Sequence, residues 1–342
     1  MSKSSSSKPK PKAQHWDIPD FDIPEAEMEW EDLVARAKLG KTTINTLPKE
    51  MFKSASQVTP KQFTMLRVYA PELGSIESFR KNGGIFFKVV ETDTPINSIG
   101  EKDNQIWPGS FVAARRLQEQ AMTVEGIHDR DRAEVGPPAS KRLRCRSDTT
   151  SRPEGKKPLD TLKDLPDAED EATPNAALVV FLQCLTGLVT GLPIEWVLNR
   201  TSFTPMFGKG GYNTVTDGVL RVSKTLAPLS IVEAKKRVRY KRTAAIIMQE
   251  GCELVGWLKE SSHSLPAFNN HLLLVSQDRH EIFLTFAAYT QAYKGYLEGE
   301  EARADSFLVM KTFGPWRTCD PAQMSDFGHI LLAIVLVAKG AA

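Results

Sequence analysis

The stretch "TVTDGVLRVSKTLAPLSIVEAKK", residues 214–236, decides how the chain is read. Two runs rich in β-branched residues flank "KTLAPL", a connection of hairpin length, so the sequence predicts two paired strands. Each run carries charge where a buried strand would be plain: Asp217 in the first, Glu233 and Lys235 in the second. Side chains two residues apart in a strand project to the same face. Glu233 and Lys235 therefore point one way with Ile231 beneath them, while Val232 and Ala234 form the opposite, apolar face. If the strands pair through the turn near Pro228, Asp217 comes up against Glu233. Two carboxylates and an ammonium then meet on one sheet surface.

Two carboxylates held together repel unless a cation lies between them, and oxygen ligands select a hard ion such as Mg²⁺ or Mn²⁺. An ion held this way polarises a phosphodiester and lowers the pKa of a bound water. Lys235 beside it would orient that water or neutralise charge on the phosphate. The following "TAAIIMQEGCELVGWLKE" (243–260) predicts a helix with Thr243 as its N-cap. Ile247, Leu254, Val255 and Leu258 supply its core stripe, and Gln249, Glu253 and Gly256 share another side. Gln249 either faces the charged cluster or forms an exposed pair with Glu253.

An Asp, a spacer, a Glu-x-Lys on the following strand and a helix with a Gln together resemble the PD-(D/E)XK nuclease superfamily, which includes restriction endonucleases and RecB-type nucleases. More narrowly, "PLSIVEAKK", "QEGCELVGWL" and the terminal "FGPWRTCDPAQMSDFGHILLAIVLVA" are similar to uncharacterised nuclease-like proteins of filamentous fungi. The resemblance covers residues 174–342 and implies a restriction-endonuclease-like α/β core, a central mixed sheet flanked by helices. It implies Asp217 and Glu233 as ligands of Mg²⁺ or Mn²⁺, Lys235 as the group that assists the attacking water, and Gln249 as a supporting catalytic residue. DNA or RNA would be the substrate. Members carry Pro before the Asp, where this chain has Thr216, and a further Glu on a helix upstream. The helix expected over 175–190 has no acidic residue, so Glu195 in "PIEWVLN" is the nearest candidate for a further metal ligand, with Glu119 more distant. Without such a Glu, the same fold would serve as a catalytically lapsed module that holds nucleic acid or a protein partner. A plain ion pair of Glu233 and Lys235 on a half-exposed strand is the third reading.

Past Lys235 the chain continues "KKRVRYKR", which places Lys236, Arg237, Arg239, Lys241 and Arg242 close together. Such a run would hold a nucleic-acid backbone without reading its bases, or form a solvated loop before the helix. Tyr212 and Tyr240 are either base-stacking or packing residues. "GKGG" (208–211) lacks the Ser or Thr and the long helix of a phosphate loop, so it reads as a turn. The six histidines show no ligand spacing, and His329 is expected at the edge of the core.

With 342 residues, 41% of them hydrophobic, the chain has material for a sizeable core. Its 44 Lys+Arg nearly balance 42 Asp+Glu, so a nucleic-acid footprint would have to come from local clustering. Cys145, Cys184, Cys252 and Cys319 lack C-x-x-C spacing, which argues against a disulfide framework or zinc site and fits a reducing interior, nucleus or cytoplasm. "MSKSSSSKPKPKAQHW" has no apolar run after it and does not read as a secretory signal. "ILLAIVLVA" (330–338) is about half of the ~20 residues a bilayer span needs, so a buried core helix and no membrane are expected. Composition divides the chain into a disordered tail (1–24), a helical or mixed region (25–128) with a strand through "IFFKVVE", a charged linker (129–173) and the nuclease-like domain (174–342). The basic half of the linker, "SKRLRCR", suits nuclear import, a nucleic-acid tether or plain solvation.

Overall fold

In the computed structural model, residues 18, 20–86, 110–122, 168, 170–241, 243–261 and 268–342 are described. Seven strands form one mixed sheet: β1 (Val68–Tyr69), β2 (Ile194–Val197), β3 (Gly218–Val222), β4 (Pro228–Lys235), β5 (His271–Asp278), β6 (Glu281–Tyr289) and β7 (Leu308–Arg317). Their order is β1-β7-β6-β5-β4-β3-β2. Neighbours run antiparallel except β1 with β7 and β4 with β5, which are parallel. A parallel pair needs a long crossover, and α6 (Thr243–Glu260) supplies it between β4 and β5. Within the 214–236 segment the predicted hairpin forms from Gly218–Val222 and Pro228–Lys235, with Gly218 opposite Val232 and Val219 opposite Ile231, whereas Thr214–Val215 pairs with Ser202–Phe203 and Asp217 stands just before the strand.

Alternation along β4 assigns its residues to two apolar layers. Ile231 packs into a layer with α1 (Glu27–Arg36), α2 (Pro60–Met65), α6 and α7 (Gln291–Glu298). Val232 packs into the other, with α3 (Ile76–Asn82), α4 (Ser110–Met122), α5 (Ala172–Thr186) and α8 (Pro321–Ala341). The chain is thus an α/β protein with helices on both sheet faces. α8 is long and apolar enough to cross a membrane by length and composition. Its Phe327, Leu331, Ile334, Val335 and Ala338 are buried in the second layer, as the 330–338 run predicts for a core helix.

Residues of the 25–128 region and of the 174–342 domain share one core, Trp30, Leu33, Phe63 and Leu66 with Leu254, Leu274 and Met310. β1 pairs with β7, and the Arg67 guanidinium lies over the rings of Trp30 (4.3 Å) and Phe307 (4.0 Å). The physical reason is coverage: without residues 18–69, that layer would lose its Trp30, Leu33, Phe63 and Leu66, and α6 and α7 would be left partly uncovered. Ile18 is buried and Pro24 accepts the Ala70 N–H, so the end of the expected tail is docked, while residues 1–17 and 19 lie outside the described residues. The expected linker likewise ends early: buried Ala168 donates its N–H to the Lys236 carbonyl (2.8 Å), and α5 begins at Ala172. Residues 129–167 lie outside the described set, as do residues 87–91 of the expected "IFFKVVE" strand. Ile85 closes a short 3-10 turn instead, and the Phe86 ring stacks on Phe286 at 4.0 Å.

Candidate active site

The hairpin register sets the site. Asp217 ends the loop entering β3, and its N–H bonds the Val232 carbonyl (3.0 Å). Its Oδ2 accepts from the Ala234 N–H (3.1 Å), the amide between Glu233 and Lys235. Lys235 donates through Nζ to Glu233 Oε1. From α6, Gln249 Nε2 donates to the same Glu233 oxygen (2.6 Å) and to Glu253 Oε1 (2.9 Å). Asp217, Glu233, Lys235 and Gln249 therefore come together, and Gln249 faces the cluster instead of pairing with Glu253 in solvent. Thr216, in the place of the resembled family's Pro, donates its N–H to Thr201 (3.0 Å), a bond a proline could not make.

Carboxyls outnumber cations here. Lys235 also meets Glu171 (3.2 Å), the residue before α5, and Arg200 reaches Asp217 Oδ1 at 3.6 Å. Glu233 and Glu253 are fully enclosed, and each leaves its Oε2 buried with no hydrogen-bond partner among the described residues. Burial and the neighbouring Glu253 push the Glu233 carboxyl well above the ordinary range, against the pull of Lys235. Burial raises Glu253 to about 8 even though Lys235 and Gln249 favour its charged form. Asp217 is raised less: burial opposes its charge, while the Ala234 amide and Lys235 support it. Burial disfavours the Lys235 ammonium, but Glu233 and Glu171 outweigh it and hold the group charged.

The remaining candidates fall elsewhere. Glu195 on β2 pairs with Arg221 (2.9 Å), four residues along β3 from Asp217, or roughly 13 Å at the ordinary strand rise. It is not part of the cluster, and Glu119 is bound one turn away by Arg115 (3.2 Å). Glu171, the residue before α5, is an acidic group upstream of Asp217 that reaches the cluster through Lys235; the sequence pattern places it in the linker because the helix is expected to begin only at residue 175. The signal was present, since Pro174 in "EATP" suits the first turn of a helix.

The basic run is not a continuous strip. Arg239 is buried, bound to Glu250, Asp278 and Ser276, and so is not available to phosphates. Lys236 and Arg237 are half-buried, and the side chains of Lys241 and Arg242 lie outside the described set. Tyr212 is a packing residue whose hydroxyl bonds the Cys252 carbonyl (2.7 Å), whereas Tyr240 is exposed. "GKGG" is the turn of a small hairpin, Met206–Phe207 with Gly210–Gly211. Thr243 lies inside the first turn of α6, its hydroxyl on the Arg239 carbonyl, and His329 is exposed.

Fold and site define an α/β protein with a buried cluster of carboxyl, ammonium and amide groups where β3, β4, α5 and α6 converge. No protein-family model matches the chain, and no curated protein matches it. Among the described residues, no group of three or more His, Cys, Asp or Glu side chains is arranged to hold one metal ion.

Proposed function

We propose that the chain is a metal-dependent nuclease that hydrolyses phosphodiester bonds of DNA or RNA, on a restriction-endonuclease-like core of the PD-(D/E)XK type. The observation that carries the reading is the buried contact of Glu233 with Lys235 and Gln249, with Asp217 bonded to the amide between Glu233 and Lys235. An Asp immediately before a strand, a turn, strand-Glu-x-Lys and helix-Gln occur in the order of that superfamily, within a mixed sheet flanked by helices.

Mg²⁺ or Mn²⁺ fits the donors present. Glu233 Oε2 is an acceptor-only atom, buried and without a donor, in a cluster with excess carboxyls. Mg²⁺ is commonly held by one or two carboxylates together with waters and substrate phosphate, so a two-carboxylate set suffices. Asp217 and Glu233 would hold the ion, which when bound supplies Lewis-acid polarisation of the phosphate and a more acidic water. Lys235, kept charged by Glu233 and Glu171, is a donor and not a base: it orients the attacking water and neutralises charge on the phosphate. Gln249 fixes Glu233 from the helix side.

The test is cleavage of labelled single- and double-stranded DNA and RNA with Mg²⁺ or Mn²⁺. Asp217→Ala, Glu233→Ala and Lys235→Ala should each lower cleavage by roughly 100-fold or more, with unchanged circular dichroism. Wild-type protein that leaves every substrate intact overturns the reading. One observation favours a second: Lys235 is bound to both Glu233 and Glu171 and Arg200 lies against Asp217, a cluster closed on its own charges, as in a lapsed module that binds nucleic acid or protein. Calorimetry with Mn²⁺ on wild type and Glu233→Ala separates them, since metal bound at Glu233 without cleavage leaves the module reading standing.

A further inference from the structure

Glu253 is an expensive residue for its position. It lies in the middle of α6, wholly enclosed, among Cys252, Leu254 and Val255 of the first core layer. A buried carboxyl with few hydrogen bonds is strongly disfavoured. Glu253 takes one bond, from Gln249, and its other oxygen takes none. An apolar residue of similar size would pack there at lower cost.

The geometry of Gln249 gives the carboxyl a task. A primary amide offers two N–H groups from its nitrogen and an acceptor from its oxygen. Both partners of Gln249 Nε2 are acceptor-only carboxyl oxygens when ionised, Glu233 Oε1 at 2.6 Å and Glu253 Oε1 at 2.9 Å. With Glu233 alone, a small rotation would still keep one bond. With Glu253 one helical turn away, both N–H groups are engaged and the amide plane is fixed. Oε1 is then turned away from both carboxyls, and among the described residues nothing hydrogen-bonds to it.

We infer that Glu253 is a positioning residue that fixes the Gln249 amide, so that Oε1 of Gln249 is presented as a free acceptor beside Glu233 and Lys235. The role rests on the nuclease reading only in what that acceptor serves: it takes one O–H of the attacking water, opposite the donor Lys235. Fixation of the amide itself does not depend on catalysis.

Two measurements on the full chain separate the ideas. With glutamine-selective ¹⁵N labelling, and Gln249→Ala to assign the signal, wild type should show a Gln249 side-chain amide with two well-separated, exchange-protected protons. Glu253→Gln, which keeps an acceptor oxygen, should retain that signal; Glu253→Leu, which fills the volume without an acceptor, should lose it while melting no lower than wild type. In cleavage assays Glu253→Leu should lower kcat roughly 100-fold at unchanged KM, with Glu253→Gln close to wild type. A Gln249 signal that survives Glu253→Leu overturns the inference, as does equal loss of kcat in both variants with a preserved fold. If wild type cuts nothing but the amide signal depends on Glu253 as described, the nuclease reading falls and the positioning role stands.

Discussion

Arg239 is held by three groups at once: Glu250 through both terminal nitrogens (2.5 and 3.0 Å), Asp278 through Nε (2.7 Å) and the Ser276 hydroxyl (3.0 Å). Its guanidinium also lies over the Phe283 ring at 4.3 Å. Burial opposes the charge, yet Asp278 and Glu250 together keep it firmly protonated. Removing one partner of such a buried set leaves uncompensated charge, so Arg239→Ala should destabilise by about 3–5 kcal/mol, read as a lower urea midpoint. Arg239→Lys should recover only part of the loss, because an ammonium cannot reproduce the planar fork. At this scale Asp217, Glu233 and Lys235 were legible because period-two alternation fixes a face from neighbouring residues alone. The fate of Arg239 was not, since it depends on Glu250 from the next helix and Asp278 from β5, and a run of basic residues reads the same whether it is solvated or enclosed.

The elements themselves were largely legible where hydrophobic periodicity is strong: the hairpin, α6 and α8 follow from pattern and turn chemistry. Their attachments were not. α4 is tied to the β5–β6 turn through paired amides, Gln118 with Gln277 (2.9 and 2.8 Å), and through Arg279, whose Nη2 donates to the carbonyl of Met122 (3.2 Å) and whose Nε reaches that of Ala121 (3.4 Å). A cation on the last carbonyls of a helix satisfies orphan acceptors and opposes the helix dipole. Arg279→Ala should therefore loosen α4 before the rest of the molecule. Hydrogen exchange should rise across Ser110–Met122 by about tenfold, corresponding to about 1.4 kcal/mol of local opening, while β4 and β5 stay protected. Uniform acceleration through the sheet would show instead that Arg279 supports the global core. Nothing in "QDRH" announces this contact, because a turn arginine is ordinarily solvated.

For the whole molecule, buried titratable groups set how stability follows pH. His280 is enclosed with neither ring nitrogen hydrogen-bonded among the described residues, and burial together with Arg279 and Arg317 lowers its pKa to about 4 from 6.5. A depressed histidine favours the folded state above its unfolded pKa, so about 3 kcal/mol should be present at neutral pH and lost as pH falls from 6.5 toward 4. Glu253, raised from 4.5 to about 8, acts in the opposite sense, so stability should rise as pH falls from 8 toward 6.5 before the histidine loss begins to offset it. Urea unfolding in chelator across that range measures both, and Glu253→Leu should lessen the alkaline slope without abolishing it, because the buried Glu233 and Asp278 carboxyls are raised in the same sense. Domain organisation is the other whole-molecule property, and composition does not carry it. The change at Pro174 marks the end of a segment poor in apolar residues, whereas the core is closed by β1, a two-residue strand paired with β7 far along the chain. A pairing so short and so distant leaves no local pattern. It nevertheless predicts that residues 168–342 alone do not fold: losing Trp30, Leu33, Phe63, Leu66 and Phe86 strips apolar contacts from both layers and uncovers β7 and α6. The fragment should bind ANS, lack near-ultraviolet dichroism and melt without a cooperative transition, while the full chain melts as one unit. A fragment that melts cooperatively would restore the boundary at 174 and make the N-terminal region a separable covering.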